Sequence, residues 1–146
     1  MRVYISGKIG VEVITPEIRE KFARAEAMLK DRGHEVFNPV SDKWQETLKR
    51  SYEKDRKAEE PWIEGKFPDF YTYCLLRDQM TIATKDAVYF LDDWKRSPGA
   101  KAEYWFARAA GFKKLLFQQQ SHATDWIREA YDKLVAAGLP PLQRVL

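Results

Sequence analysis

The sequence predicts a doubly wound α/β domain, a flavodoxin- or Rossmann-like three-layer sandwich around a mostly parallel sheet of four to five strands. Three observations predict it. Val3-Tyr4-Ile5, Ala87-Val88-Tyr89-Phe90-Leu91 and Leu115-Leu116-Phe117 are apolar on consecutive positions, which suits strands buried on both faces. Segments with helical apolar spacing alternate with these runs, the rhythm of βαβ units. No repeat, low-complexity tract or linker divides the 146 residues, a length that suits a single domain spanning 1–146.

The elements follow in order. Val3-Tyr4-Ile5 reads as the first strand, broken at once by Ser6-Gly7-Lys8. Thr15 suits a helix cap and Pro16 the first helical position. Ile18, Phe22, Ala25 and Leu29 then form one apolar stripe, and Gly33 suits a left-handed stop. His34-Glu35-Val36-Phe37 is the second strand, ended by Asn38-Pro39, and the first third is therefore one right-handed βαβ unit. The segment 41–66 is charged, with widely spaced Trp44, Tyr52 and Trp62, and reads as a partly helical excursion over one end of the sheet. A solvated helix explains it better than a nucleic-acid arm.

Over 69–84 a helix is predicted with Phe70, Tyr73, Leu76, Met80 and Ala83 along one side. The strand 87–91 comes next, then Asp92-Asp93-Trp94, and a helix from Ser97-Pro98-Gly99 to Ala110, stopped by Gly111. Lys114 to Phe117 gives the fourth strand. Residues 124–137 suit an amphipathic helix stopped by Gly138.

Composition narrows the chemistry. Twenty-five Lys and Arg face 22 Asp and Glu, a net charge of +3, too balanced to point to nucleic acid. The one cysteine, Cys74, and two histidines, His34 and His122, leave little for a metal site, and no cofactor is expected. Cys74 lies in an apolar run and reads as a packed thiol. No apolar run approaches the ~20 residues a membrane span needs. Met1 leads straight into a strand, so a cytoplasmic protein is expected.

In open parallel sheets, ligands sit beyond the carboxyl ends of the strands. That rule selects the segments 6–10, 38–43 and 92–99. Ser6-Gly7-Lys8-Ile9-Gly10 has two glycines where the backbone could approach a ligand closely, but neither the Walker spacing nor the third glycine of a dinucleotide fingerprint, and a plain turn explains it as well as a phosphate loop does. Ser97-Pro98-Gly99 opens a helix whose N-terminal N–H groups attract anions. A Ser cap with Pro behind it accounts for Ser97 and Pro98 but leaves Gly99 unexplained. Glu103, one turn in, lies among Ala100, Ala102 and Ala107, a face suited to close packing. Asp78 is a carboxylate flanked by core positions, with an ion pair to a neighbouring basic residue as its plain explanation.

Taken together, these residues resemble the nucleoside 2-deoxyribosyltransferase-like family, including the 2′-deoxynucleoside 5′-phosphate N-hydrolases. The resemblance runs from Val3-Tyr4-Ile5-Ser6-Gly7 through Gly33-His34-Glu35-Val36-Phe37-Asn38-Pro39, Arg77-Asp78 and the strand 87–91. Its most specific block is Ser97-Pro98-Gly99-Ala100-Lys101-Ala102-Glu103. The resemblance implies that Glu103 is the nucleophile on the anomeric carbon, that Asp78 is the acid/base, and that Tyr4 hydrogen-bonds the Glu103 carboxylate. Ser6, Gly7, Lys8, Ser97 and Gly99 would bind substrate and its phosphate. Ser97, where the free-nucleoside transferases often carry an acidic residue, favours hydrolysis of a nucleoside monophosphate over base exchange. Asp92 and Asp93 work against that preference, since a carboxylate there would repel a phosphate. The resemblance also implies a homodimer or higher homo-oligomer. A nucleotide-sensing domain without turnover is the alternative outside enzymology.

Overall fold

The computed structural model describes residues 1–10, 13–58 and 66–118. Four strands, β1 (Arg2–Ser6), β2 (Glu35–Phe37), β3 (Ala87–Phe90) and β4 (Leu115–Phe117), form one sheet in the order β2-β1-β3-β4. Every pairing is parallel. Between them run α1 (Pro16–Asp31), α2 (Asp42–Arg56), α3 (Phe70–Ile82) and α4 (Pro98–Ala109), with a 3₁₀ turn at Trp94–Arg96. This is the doubly wound α/β architecture that the sequence predicts. The helix expected over 124–137 lies outside the described residues.

The two faces of the sheet alternate along each strand, as the period of two requires. Val3, Ile5, Ala87, Tyr89 and Leu91 pack with Phe22, Ala25 and Leu29 of α1. Tyr4, Val88, Phe90 and Leu115 pack on the other side with Ile82 of α3 and Ala100, Tyr104 and Ala107 of α4. Both helix stops use left-handed glycines. Gly33 (φ +85°) and Gly111 (φ +82°) follow α1 and α4, and the next residues return N–H bonds to Leu29 and Ala107.

Two expectations change. The 41–66 segment is helical over Asp42–Arg56, but it is more than a solvated face: Leu48 is fully buried and α2 packs on α3. On α3 the expected apolar stripe is out of phase. Met80 is 58% exposed and Ala83 is exposed, whereas Tyr73 and Ile82 are buried. The inward face instead carries Leu75, which reaches toward Gly99, together with Asp78 and Ile82 at helical spacing. A carboxylate occupies a core-facing position there, which displaces the apparent stripe.

Candidate active site

The strand order turns between β1 and β3, and the crevice beyond their carboxyl ends is where such folds bind ligands. Ser6 closes β1 there, paired with Phe90 at the end of β3. From β3 the chain turns through Trp94–Arg96 into α4. Ser97 caps α4, its hydroxyl accepting the Ala100 N–H at 3.1 Å, with Pro98 at the first position. Ala100, Glu103, Tyr104 and Ala107 are the buried face of α4, so Glu103 is carried into the protein at 5% exposure.

Glu103 Oε1 accepts a hydrogen bond from the Ser6 hydroxyl at 3.1 Å. The Tyr4–Glu103 interaction that the resemblance implies is present, but the hydrogen bond of full geometry comes from Ser6. Tyr4 and Ser6 project from the same face of β1, and the one at the strand's end reaches the carboxyl. The Tyr4 hydroxyl lies close enough to favour the ionised carboxyl. It falls short of hydrogen-bond geometry, and Tyr4 Oη and Glu103 Oε2 are both buried without a hydrogen-bond partner. Two orphaned polar atoms side by side are costly in a core and suit a site that a ligand completes.

Asp78 enters from α3. Its partner is not a basic residue: Oδ1 accepts the Trp44 indole N–H from α2 at 2.9 Å. Arg77 instead donates to the Tyr73 hydroxyl at 2.8 Å and lies over the Trp44 ring at 5.5 Å. Burial pushes the Asp78 carboxyl up to about 7, against the pull of the Trp44 hydrogen bond and the Arg77 charge. Burial and then the Asp78 charge push Glu103 up to about 8, against Tyr4 and Ser6. Burial, with both carboxylates, also holds Tyr4 well above the usual phenol range. Two interacting carboxyls raised in this way retain a proton near neutrality that belongs to the pair.

The residues expected at a phosphate end are divided by the structure. Ser6 belongs to the carboxyl pair. Gly7 is buried under Leu91, where an added Cβ would stand 2.6 Å from Cδ1. The Lys8 side chain is exposed, while its N–H donates to Asp93 at 3.0 Å. Gly99, half-buried beside Leu75, stands with Ser97 in the first turn of α4. Asp93 does not stand as a bare charge, because Lys21 of α1 pairs with it and also donates to the Lys8 carbonyl. Burial pushes the Cys74 thiol up to about 12, in keeping with a packed thiol. Among the described residues no cluster of His, Cys, Asp and Glu could hold a metal ion, and no helix is long and apolar enough to cross a membrane.

Sequence reasoning missed Trp44 and Lys21. Trp44 carried a usable signal: with Leu48 and Tyr52 it forms an i, i+4, i+8 stripe inside an otherwise charged helix. Lys21 carried none, since its partner is 72 residues away.

Fold and site together define an α/β protein with an interacting carboxyl pair, Glu103 buried and Asp78 half-buried, at the turning point of a parallel sheet. The chain belongs to the family described as Domain of unknown function (DUF4406), whose model matches residues 1–116. No curated protein and no solved structure matches it.

Proposed function

We propose that this protein cleaves the N-glycosidic bond of a (deoxy)nucleoside 5′-monophosphate through a covalent glycosyl–Glu103 intermediate, with water as acceptor. The observation that carries the reading is the interacting Asp78–Glu103 carboxyl pair, both members raised by burial, beside the unpartnered Glu103 Oε2 and Tyr4 Oη. One carboxylate attacks and one carboxylic acid assists departure, the two-carboxyl logic of retaining glycosyl transfer.

Glu103 Oε2 attacks the anomeric carbon as the carbon–nitrogen bond breaks. The bonding pair leaves with the base, which takes the Asp78 proton. Water then attacks the anomeric carbon as the bond to Glu103 Oε2 breaks, the bonding pair returning to the Glu103 carboxylate and water's proton passing to Asp78. The sugar phosphate departs, and Glu103 is again a carboxylate. In the empty site both carboxyls compete for one proton. Positive charge developing on the sugar beside Glu103 favours its ionised form, which leaves the proton on Asp78. Ser6 supports this by donating to Glu103 Oε1. At the other end, the Lys21–Asp93 pair removes the repulsion that Asp93 would exert on a phosphate, Lys8 bonds Asp93 through its backbone N–H, and Ser97 caps the helix N-terminus that would meet the phosphate.

Base exchange is the second reading, favoured by the near-complete burial of Glu103, which shields an intermediate from water. The same resemblance carries a homo-oligomer, with exposed Met80 and Trp105 available on α3 and α4. The deciding experiment incubates the protein with deoxynucleosides and their monophosphates, with and without a second base, and follows products by chromatography. Free base should form from a monophosphate without acceptor, and Asp78→Asn should slow it about 10²–10⁴-fold. Glu103→Gln should abolish it with the fold intact. Full activity in Glu103→Gln rejects the covalent route, and products formed only with acceptor identify a transferase.

A further inference from the structure

Trp44 stands in the charged helix α2, yet it is half-buried and reaches across to α3. Its N–H makes the single hydrogen bond found for the Asp78 side chain among the described residues. An indole N–H donates and cannot accept. When Asp78 carries the proton, the oxygen that the indole bonds, Oδ1, must be the carbonyl-like one, which leaves the proton on Oδ2. We propose that Trp44 is the positioning residue of Asp78, its indole N–H holding Oδ1 so that the acid presents its proton from Oδ2. This rests on Asp78 acting as the acid of the reaction proposed above.

The ring is itself held on several sides. It packs edge-to-face with Phe37, centroids 5.0 Å apart at 79°, and Phe37 stacks on Tyr4 at 5.6 Å and 11°. Phe37 and Tyr4 are register partners of β2 and β1, so this stack is fixed by the sheet. Arg77 lies over the ring at 5.5 Å from its centroid, and the backbone N–H of Trp44 donates to the Ser41 cap at 3.3 Å. A packing role alone asks only for an aromatic ring. The indole N–H adds a directed bond to a carboxyl otherwise surrounded by charges and titratable groups: Arg77 and Cys74 on α3, Tyr4 on β1 and Glu103 on α4.

A hydrogen bond to a carboxylate favours its ionised form. Removing the donor while the burial remains should therefore make Asp78 harder to ionise. Trp44→Phe keeps the ring and drops the N–H. In full-chain protein labelled with ¹³C at the aspartate carboxyls, assigned with Asp78→Asn, the Asp78 midpoint should rise by about one pH unit in Trp44→Phe. The alkaline limb of the base-release profile should move up with it, and kcat should fall more than KM rises. A folded Trp44→Phe protein with an unchanged Asp78 titration overturns the proposal. In the wild-type chain, the Trp44 indole N–H resonance should titrate with the Asp78 carboxyl, which decides the matter if the variant fails to fold. An indole signal flat through that midpoint overturns it equally. Because both titrations are read without substrate, an absence of base release counts against the proposed reaction and leaves this test standing.

Discussion

Gly7 illustrates how tightly the wall of the crevice is packed. A Cβ there would meet Leu91 Cδ1 at 2.6 Å and its Cβ and Cγ at 3.0 Å, and Leu91 is fully buried. The side-chain end could turn away, but its Cβ moves only with the backbone of the segment after β3. Gly7→Ala should therefore cost about 1–3 kcal/mol, read from urea unfolding. Leu91→Ala alone should also destabilise, by about 2–5 kcal/mol. In the double variant the alanine at position 7 should fill part of the space, so its cost should be less than the sum of the two single costs. Simple additivity would reject the contact as the reason for this glycine. The residue type was legible in the sequence as a position where something approaches closely. What approaches, a leucine rather than a phosphate, was not.

At the scale of elements, a clamp ties α1 to both loops that form the crevice. Lys21 pairs with Asp93 and donates to the Lys8 carbonyl, while Asp93 accepts the Lys8 N–H. Asp93 is 10% exposed and Lys21 23%, so losing the lysine would strand a nearly buried carboxylate. Lys21→Met should destabilise by about 2–3 kcal/mol, somewhat below the loss typical of fully buried pairs because Lys21 keeps partial access to water. Asp93→Asn keeps an acceptor for Lys8 and should cost less; thermal melts of both variants check the order. Equal losses would show that the Lys8 N–H matters as much as the charge. The strands and three of the four helices were legible, because their apolar periods and caps are local properties of the chain. The buried face of α3 was not, since Asp78 replaces an apolar residue on it and Met80 continues a false stripe into solvent. The role of α2 was hidden for a similar reason. Its charged residues dominate the composition, whereas its link to the site is carried by Trp44 alone.

For the whole molecule, the carboxyl pair couples stability to pH. Asp78 and Glu103 are raised from ordinary carboxyl values of 3.8 and 4.5 to about 7 and about 8. The folded state thus holds protons that the unfolded chain releases. By linkage, their contribution is fully present below about pH 4 and is lost as pH rises toward 8. Asp86 acts in the opposite direction and in another window. Its hydrogen bonds and charge pairing with Arg2 hold it down to about 2, so its contribution is lost only as pH falls below about 4. His34, lowered by partial burial and the nearby N-terminus, opposes the pair near neutrality. A direct comparison removes both effects, since Asp86 and His34 are the same in wild type and in Glu103→Gln. The glutamine keeps an oxygen for Ser6 and has no charge to desolvate. The melting temperature of Glu103→Gln relative to wild type should therefore climb between pH 5 and pH 9. The gain should be on the order of 2–4 kcal/mol, or roughly 5–10 °C for a chain of this size. Parallel melting curves across that range would mean that Glu103 is ionised in the folded protein at all these pH values. The proton of the pair at neutrality would then rest on Asp78 alone, and Glu103 would be a ready nucleophile without help from the charge developing on the sugar.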